Sequence, residues 1–253
     1  MISPQHAGLV HGFFEMAALG IGVACYRRQR RQAVGRGILA PGEFAVAAGC
    51  IFGAAIGNKL VFWIEMPHLL AHYWNSPAAW LGGQSMVGGL LGGLIGVEIA
   101  KKLTGISRST GDAFVFPVLL GLMIGRIGCF LAGLADGTYG NPTSLPWGID
   151  FGDGVSRHPT QLYEIAFAGL FWLLLRRLQP LLAVQPGLLF KTLLVGYLVW
   201  RLLIDALKPI PFAYPLGLSG IQWVCLLALV LYFPAFKRQV SRLPSAVPGE
   251  LHS

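Results

Sequence analysis

Apolar residues along the chain gather into seven stretches separated by charged or turn-forming segments: residues 6–26, 44–63, 80–100, 113–134, 160–175, 188–207 and 216–233. A helix crossing the hydrocarbon layer takes ~20 residues, which most of these stretches supply. The fifth is short, and its amphipathic start fits an interfacial position. The pattern predicts an all-α polytopic membrane protein of seven transmembrane helices. They form a single domain over residues 1–240, with an outer loop segment at about 135–159 and a cytoplasmic tail over 241–253.

Basic residues give the orientation. The segment after the first stretch holds Arg27, Arg28, Arg30, Arg31 and Arg36, and that after the third holds Lys101, Lys102 and Arg108. Arg176, Arg177 and Lys191 follow the fifth, and Lys237, Arg238 and Arg242 follow the seventh. These 14 of the 19 Lys and Arg residues fall on one side, which the positive-inside rule makes cytoplasmic. The N-terminus is then outside and the C-terminus inside. No positive charge precedes the first stretch, so it does not read as a cleavable leader.

Composition agrees. Of the 253 residues, 55% are hydrophobic and only 12% charged, about half the charge of a soluble domain. That excludes a disordered chain and an ordinary soluble enzyme. The net charge of +8 belongs to the membrane-flanking loops, not to an aromatic-interleaved basic stripe, so no nucleic-acid partner is expected. Cys25, Cys50, Cys129 and Cys225 lie in apolar runs without metal-binding spacing. His68 and His72 lack the flanking residues of a metal motif and suit an interfacial segment. No metal, nucleotide or other cofactor is expected.

The remaining five basic residues are Lys59, Arg126, Arg157, Arg201 and Lys208, within the stretches or at their outer ends. An arginine in a bilayer needs a partner. Lys59, Arg126 and Arg201 lie at similar depth on different stretches and suggest one shared anion. The choice is between a phosphate, which suits guanidinium forks, and internal pairing with Glu65, Glu164 or Asp205. His11 and Glu15 share a face of the first helix at i, i+4 spacing. Gly82, Gly83, Gly88, Gly89, Gly92, Gly93 and Gly96 leave faces of the third stretch bare, for close helix packing or an acyl groove.

Three segments then carry a resemblance. They are Gly125-Arg126-Ile127-Gly128-Cys129-Phe130, Pro142-Thr143-Ser144-Leu145-Pro146-Trp147-Gly148 and Arg157-His158-Pro159-Thr160-Gln161-Leu162-Tyr163-Glu164. Tyr197 to Arg201, with Asp205 and Lys208, and Gly217 to Gln222 add weaker matches. In this order, over residues 1–236, the chain resembles the prolipoprotein diacylglyceryl transferases, as a divergent member. The resemblance implies a transferase of lipoprotein biosynthesis in the bacterial cytoplasmic (inner) membrane. Its partners would be phosphatidylglycerol, as membrane lipid, and the lipobox cysteine of a prolipoprotein. The diacylglyceryl group passes to that thiol and glycerol phosphate leaves.

Carried onto this sequence, Arg126 and Arg201 would bind phosphate and stabilise the leaving group. Tyr197, one turn from Arg201, would orient it, or simply pack in the bundle. Lys59 and Gly140 join the expected phosphatidylglycerol site. Val87 stands where the family has a histidine, Cys129 where an asparagine is common, and Asp205 where a glutamate is. Asp136 is displaced from the family's downstream acid. His158 could replace the missing base, or hold the loop through a hydrogen bond. Cys129 reads as a small apolar residue, with a nucleophilic thiol as the alternative. The rival function is a non-catalytic phospholipid-binding or lipid-transport protein that kept the phosphate site.

Overall fold

The computed structural model describes residues 4–34, 43–76, 80 and 82–243. Arg36 of the first basic loop and residues 244–253 of the tail lie outside the described residues. Among the described residues eight α-helices carry the fold: α1 (Pro4–Val34), α2 (Glu43–Glu65), α3 (Pro67–Tyr73), α4 (Met86–Thr104), α5 (Val115–Ala132), α6 (Thr160–Leu182), α7 (Leu188–Ile204) and α8 (Gly220–Val240). All but the short α3 fall on the seven apolar stretches. Among the described residues five segments are long and apolar enough to cross a membrane: His6–Gln29, Phe44–Glu65, Gly111–Asp136, Thr160–Leu182 and Gly220–Val240. Leu9, Phe13, Met16, Leu19, Leu170 and Leu231 point outward and exposed, as lipid contact requires. The chain is an all-α membrane protein.

Several boundaries differ from those the hydropathy predicts. The fifth stretch is not short: α6 runs on to Leu182 through Arg176 and Arg177. Arg176 lies over the ring of Phe116, 4.6 Å from its centroid, so its charge sits at the helix side while its stem covers apolar surface. The third stretch becomes helical only at Met86. Ser85 caps it by accepting from Gly88 N, and Asn58 holds Ser85 by accepting from its backbone N–H at 2.6 Å. The last helix starts at Gly220, with Ser219 and Gln222 forming a reciprocal capping box.

Two carboxylates are spent on helix starts. Glu65 accepts from Ile221 N at 2.7 Å, at the positive end of α8. Asp112 accepts from Gly187 N at 2.6 Å and Phe190 N at 2.9 Å at the start of α7.

Packing follows two rules. In α2 and α4, Gly49, Gly53 and Gly57 face Gly96, Gly92 and Gly88 in antiparallel order. A Cβ at any of the six would run into the facing backbone. Around α5, α6 and α7 the contact is conventional: Phe116, Leu119, Leu122, Phe171, Leu175, Leu193, Leu194 and Leu198 form the buried core. Phe167 stacks on Trp200 with centroids 4.4 Å apart. α1 lies antiparallel along α5, where Gly128 makes room for Phe14.

The segment between α5 and α6 holds a two-stranded hairpin, β1 (Ile149–Asp150) and β2 (Ser156–Arg157). Its turn is fixed by Asp150, whose carboxylate accepts from the backbone N–H groups of Gly152, Asp153 and Gly154.

Candidate functional site

The first turn of α6 is buried where helical spacing turns it inward, at Thr160, Gln161 and Glu164. Glu164 has no exposed surface. A lone carboxylate there would be very costly, and three cations answer it. Arg126 pairs with one carboxylate oxygen from α5. Arg201 donates to the other at 2.5 Å from α7, and Lys208 reaches the same oxygen at 3.2 Å. Asp205, one turn beyond Arg201, takes its second terminal nitrogen at 2.6 Å. Three cations thus face two carboxylates, leaving one positive charge in excess.

Of the expected site residues, Arg126 and Arg201 do meet, on Glu164. Lys59 does not join them there: its ammonium donates to the carbonyls of Gly82 at 3.1 Å and Gly83 at 2.6 Å. Lys208 takes the third place on Glu164. The shared anion inside the protein is therefore Glu164, while Glu65 has gone to cap α8. Arg157, the remaining cation, pairs with Asp153 at 2.7 Å on the β1–β2 hairpin. That contact pulls the Asp153 carboxyl below its ordinary value.

Tyr197 is buried one turn before Arg201, and its hydroxyl has no hydrogen-bond partner among the described residues. Gln161, 1% exposed, has both side-chain amide atoms without a partner there. Buried polar groups are almost always satisfied, so these two, with Trp200 Nε1 and Arg201 Nε, are polar groups left over at the ion cluster among the described residues. Gln161 was within a recognised motif but had no separate sequence signal.

His158 lies between β2 and α6. Its Nδ1 is 3.3 Å from the hydroxyl of Tyr163, which itself accepts from Trp147 Nε1 at 2.8 Å. The histidine tautomer sets which of the two groups donates, and the contact ties His158 to the first turn of α6. Gly140 explains itself by space: a Cβ there would lie 2.6 Å from His158 Cβ and 2.9 Å from the Leu207 carbonyl. Its neighbour Asn141 donates to the carbonyls of Leu207 and Lys208. The segment at Gly140 and Asn141 thereby pins the turn after α7, where Lys208 lies.

Val87 is 1% exposed within the apolar core, so the third-stretch position carries no titratable group. A second polar cluster lies beside Arg126. His11 Nδ1 is 2.8 Å from Asp136, Cys129 Sγ is 3.7 Å from Arg126 Nη1, and the ligand atoms of His11, Cys129 and Asp136 lie within 4.8 Å of one another. Sequence spacing could not show this, because the three residues come from two helices and a turn.

Two apolar grooves flank α6. Leu120 and Met123 of α5 line one with Gly169, Trp172 and Leu173. Phe167, Phe171, Leu174 and Trp200 line the other, towards α7. Ala166 and Leu170 border both.

A family model described as prolipoprotein diacylglyceryl transferase fits residues 8–236. Three relatives carry the name phosphatidylglycerol–prolipoprotein diacylglyceryl transferase. That of Geobacter sulfurreducens is 35% identical over 206 residues, 72% of each chain. That of Cupriavidus metallidurans is 33% identical over 195 residues, covering 72% of this chain and 69% of the relative. That of Nitrosomonas europaea is 31% identical over 252 residues, covering 86% and 87%. With the family model spanning nearly all of its helices, this chain belongs to the prolipoprotein diacylglyceryl transferase family.

Proposed function

We propose that the chain transfers the diacylglyceryl group of phosphatidylglycerol to the thiol of a lipobox cysteine in a prolipoprotein, releasing glycerol phosphate. It would do so as a seven-span protein of the bacterial cytoplasmic membrane, N-terminus outside. The observation that carries the reading is the convergence of Arg126, Arg201 and Lys208 on Glu164 with one positive charge in excess. A phosphodiester brings one negative charge and finds that excess.

The chemistry is attack of sulfur on the glyceryl carbon that bears the phosphate. As the C–O bond breaks, a second negative charge grows on the departing phosphate oxygen. Cations already fixed in a dry site stabilise that charge more than mobile water could. Glu164 holds the guanidinium groups in place before the lipid arrives, so little reorganisation is left to the reaction itself. Tyr197 and Gln161 offer the headgroup a hydroxyl and an amide that have no hydrogen-bond partner among the described residues. The two grooves beside α6 have the apolar lining that two acyl chains require.

The second reading, a phospholipid binder without catalysis, is favoured by Val87, which puts an apolar side chain where a base would serve. One experiment separates the two. Purified protein is incubated with phosphatidylglycerol and a lipobox peptide, and the peptide is weighed by mass spectrometry. A diacylglyceryl adduct on cysteine is the expected result. Bound lipid with unmodified peptide would replace the transferase reading by the binding one.

A further inference from the structure

We propose that His11, Cys129 and Asp136 hold a zinc-class divalent cation whose open coordination position takes the acceptor thiol. The role given to the thiol rests on the transferase reading above; the ion site rests on its own geometry.

The donor set is one nitrogen, one sulfur and one oxygen, with ligand atoms within 4.8 Å of one another. Small side-chain rotations bring them to the ~2.0–2.3 Å bonds of zinc. A thiolate among the ligands selects a borderline-soft ion over magnesium or calcium. Three protein ligands with one position left for another molecule is the pattern of a zinc site that does chemistry rather than one that only holds structure.

The surroundings suit an ion as well as the ligands do. His11 Nδ1 faces Asp136 at 2.8 Å, while its Nε2 faces Glu15, one turn along α1, at 3.1 Å. A ligating histidine ordinarily gives its other ring N–H to a carboxylate, which fixes the tautomer and the ring. Glu15 is placed to receive it. Thr138 donates its hydroxyl to the second oxygen of Asp136, leaving the first for His11 and the ion. The scaffold is firm: α1 and α5 pack with Phe14 over Gly128, bringing His11 beside Cys129. Cys129 is buried, whereas the His11 side chain is 28% exposed, so the cluster is not sealed from an incoming thiol.

Position gives the ion its use. Cys129 Sγ lies 3.7 Å from Arg126 Nη1, the arginine that pairs with Glu164. A thiol on the ion and a phosphate on the arginine would be neighbours. Coordination releases the thiol proton to solvent. The sulfur electron pair then forms the C–S bond, and the C–O bond to phosphate breaks with its electrons on the oxygen. Glycerol phosphate departs, and the thioether, a weak ligand, leaves the ion. No histidine is required at Val87.

The test uses the full chain purified in detergent without chelators. Elemental analysis should find one zinc per chain. Exchange to cobalt(II) should give thiolate-to-metal charge-transfer absorption, which Cys129→Ser removes while the helical circular dichroism stays unchanged. Glu15→Gln should weaken metal binding about 10–100-fold, as loss of an outer-shell carboxylate does. Chelation should abolish peptide modification and zinc should restore it. Absence of stoichiometric metal and of the cobalt spectrum, or a spectrum unaltered in Cys129→Ser, overturns the site. Equal transfer by metal-free and zinc-loaded protein overturns the role given to the thiol. Metal bound as described, with no transfer by any form, supports the ion site and overturns the transferase reading beneath it.

Discussion

Helices α2 and α4 approach closely because side chains are missing; α5, α6 and α7 approach around side chains that carry full charges. In the first pair, Gly49, Gly53 and Gly57 lie backbone to backbone against Gly96, Gly92 and Gly88. In the second group, Glu164 sits without exposed surface between Arg126, Arg201 and Lys208. Bare backbone contact is a good way to join helices where lipid competes as well as any apolar side chain. Buried ion pairs are a poor way: well-packed apolar residues of similar volume often serve stability as well or better. The glycine face therefore needs no explanation beyond packing. The charged core does need one, and the phosphate site proposed above would supply it.

Removing the central anion tests this most severely. Glu164→Gln leaves three cations facing Asp205 alone, and breaking a buried ion cluster in this way costs about 3–5 kcal/mol. Thermal unfolding in detergent should show the loss, and added phosphatidylglycerol should recover part of it by replacing the missing negative charge. Recovery equal in wild type and variant would mean that the lipid phosphate does not reach this cluster.

Arg126→Lys comes next. Lysine keeps the charge but loses the planar fork that grips two oxygens at once. The expected loss is about 10²–10³ in the rate of transfer to a lipobox peptide, the usual cost of one transition-state donor. Lipid binding should fall far less. Near-full activity in this variant would remove Arg126 from the phosphate site.

How these two regions read in sequence differs as well. The seven long helices were legible because each apolar stretch is set off by its own basic or turn-forming flank, and Arg126 and Arg201 stood out as cations that lipid does not tolerate alone. The hub was not legible. Glu164, Glu65 and Asp205 were equal candidates until folding assigned Glu65 to the start of α8 and Glu164 to the centre. Lys208 stands on Glu164 where the sequence pattern points to Lys59, for the same reason: depth along a helix is readable from sequence, but the face a helix turns to its neighbours is set by packing. The His11, Cys129 and Asp136 cluster is the extreme case, since only the antiparallel contact of α1 with α5 creates it.

Gly92→Leu probes the other region. A side chain there would enter the backbone of Gly53 and Gly57, and overpacking of this kind costs about 1–3 kcal/mol. Unfolding temperature should drop, while the transfer rate per folded molecule stays within about twofold of wild type, since no group on Glu164 is touched. A rate loss as large as that of Arg126→Lys would show that the glycine pair also shapes the lipid site, and the contrast between the two regions would fail.

The smallest effect concerns the edge of the charged core. Lys208 lies beyond the end of α7, and burial, reinforced by Arg201 and Arg126 and opposed by Glu164 and Asp205, pushes its ammonium down to about 8. Below that pH the cluster keeps its surplus positive charge. Above it, Lys208 is neutral, two cations face two carboxylates, and the attraction for a phosphodiester is gone. Transfer should fall as pH rises through about 8, by up to tenfold for each further unit if the charge is essential. Stability should move the other way. Between about 8 and the ordinary lysine value near ~10.4 the unfolded chain holds a proton that the folded chain has released, so folding becomes more favourable as pH rises across that window. Lys208→Arg keeps a cation throughout the range and should abolish the falling limb of the activity profile, whereas Lys208→Met should behave at pH 7 as the wild type does at high pH. A pH profile identical in wild type and Lys208→Arg would show that the excess charge is not what holds the lipid, and the duty would pass to the unpartnered hydroxyl of Tyr197 and amide of Gln161.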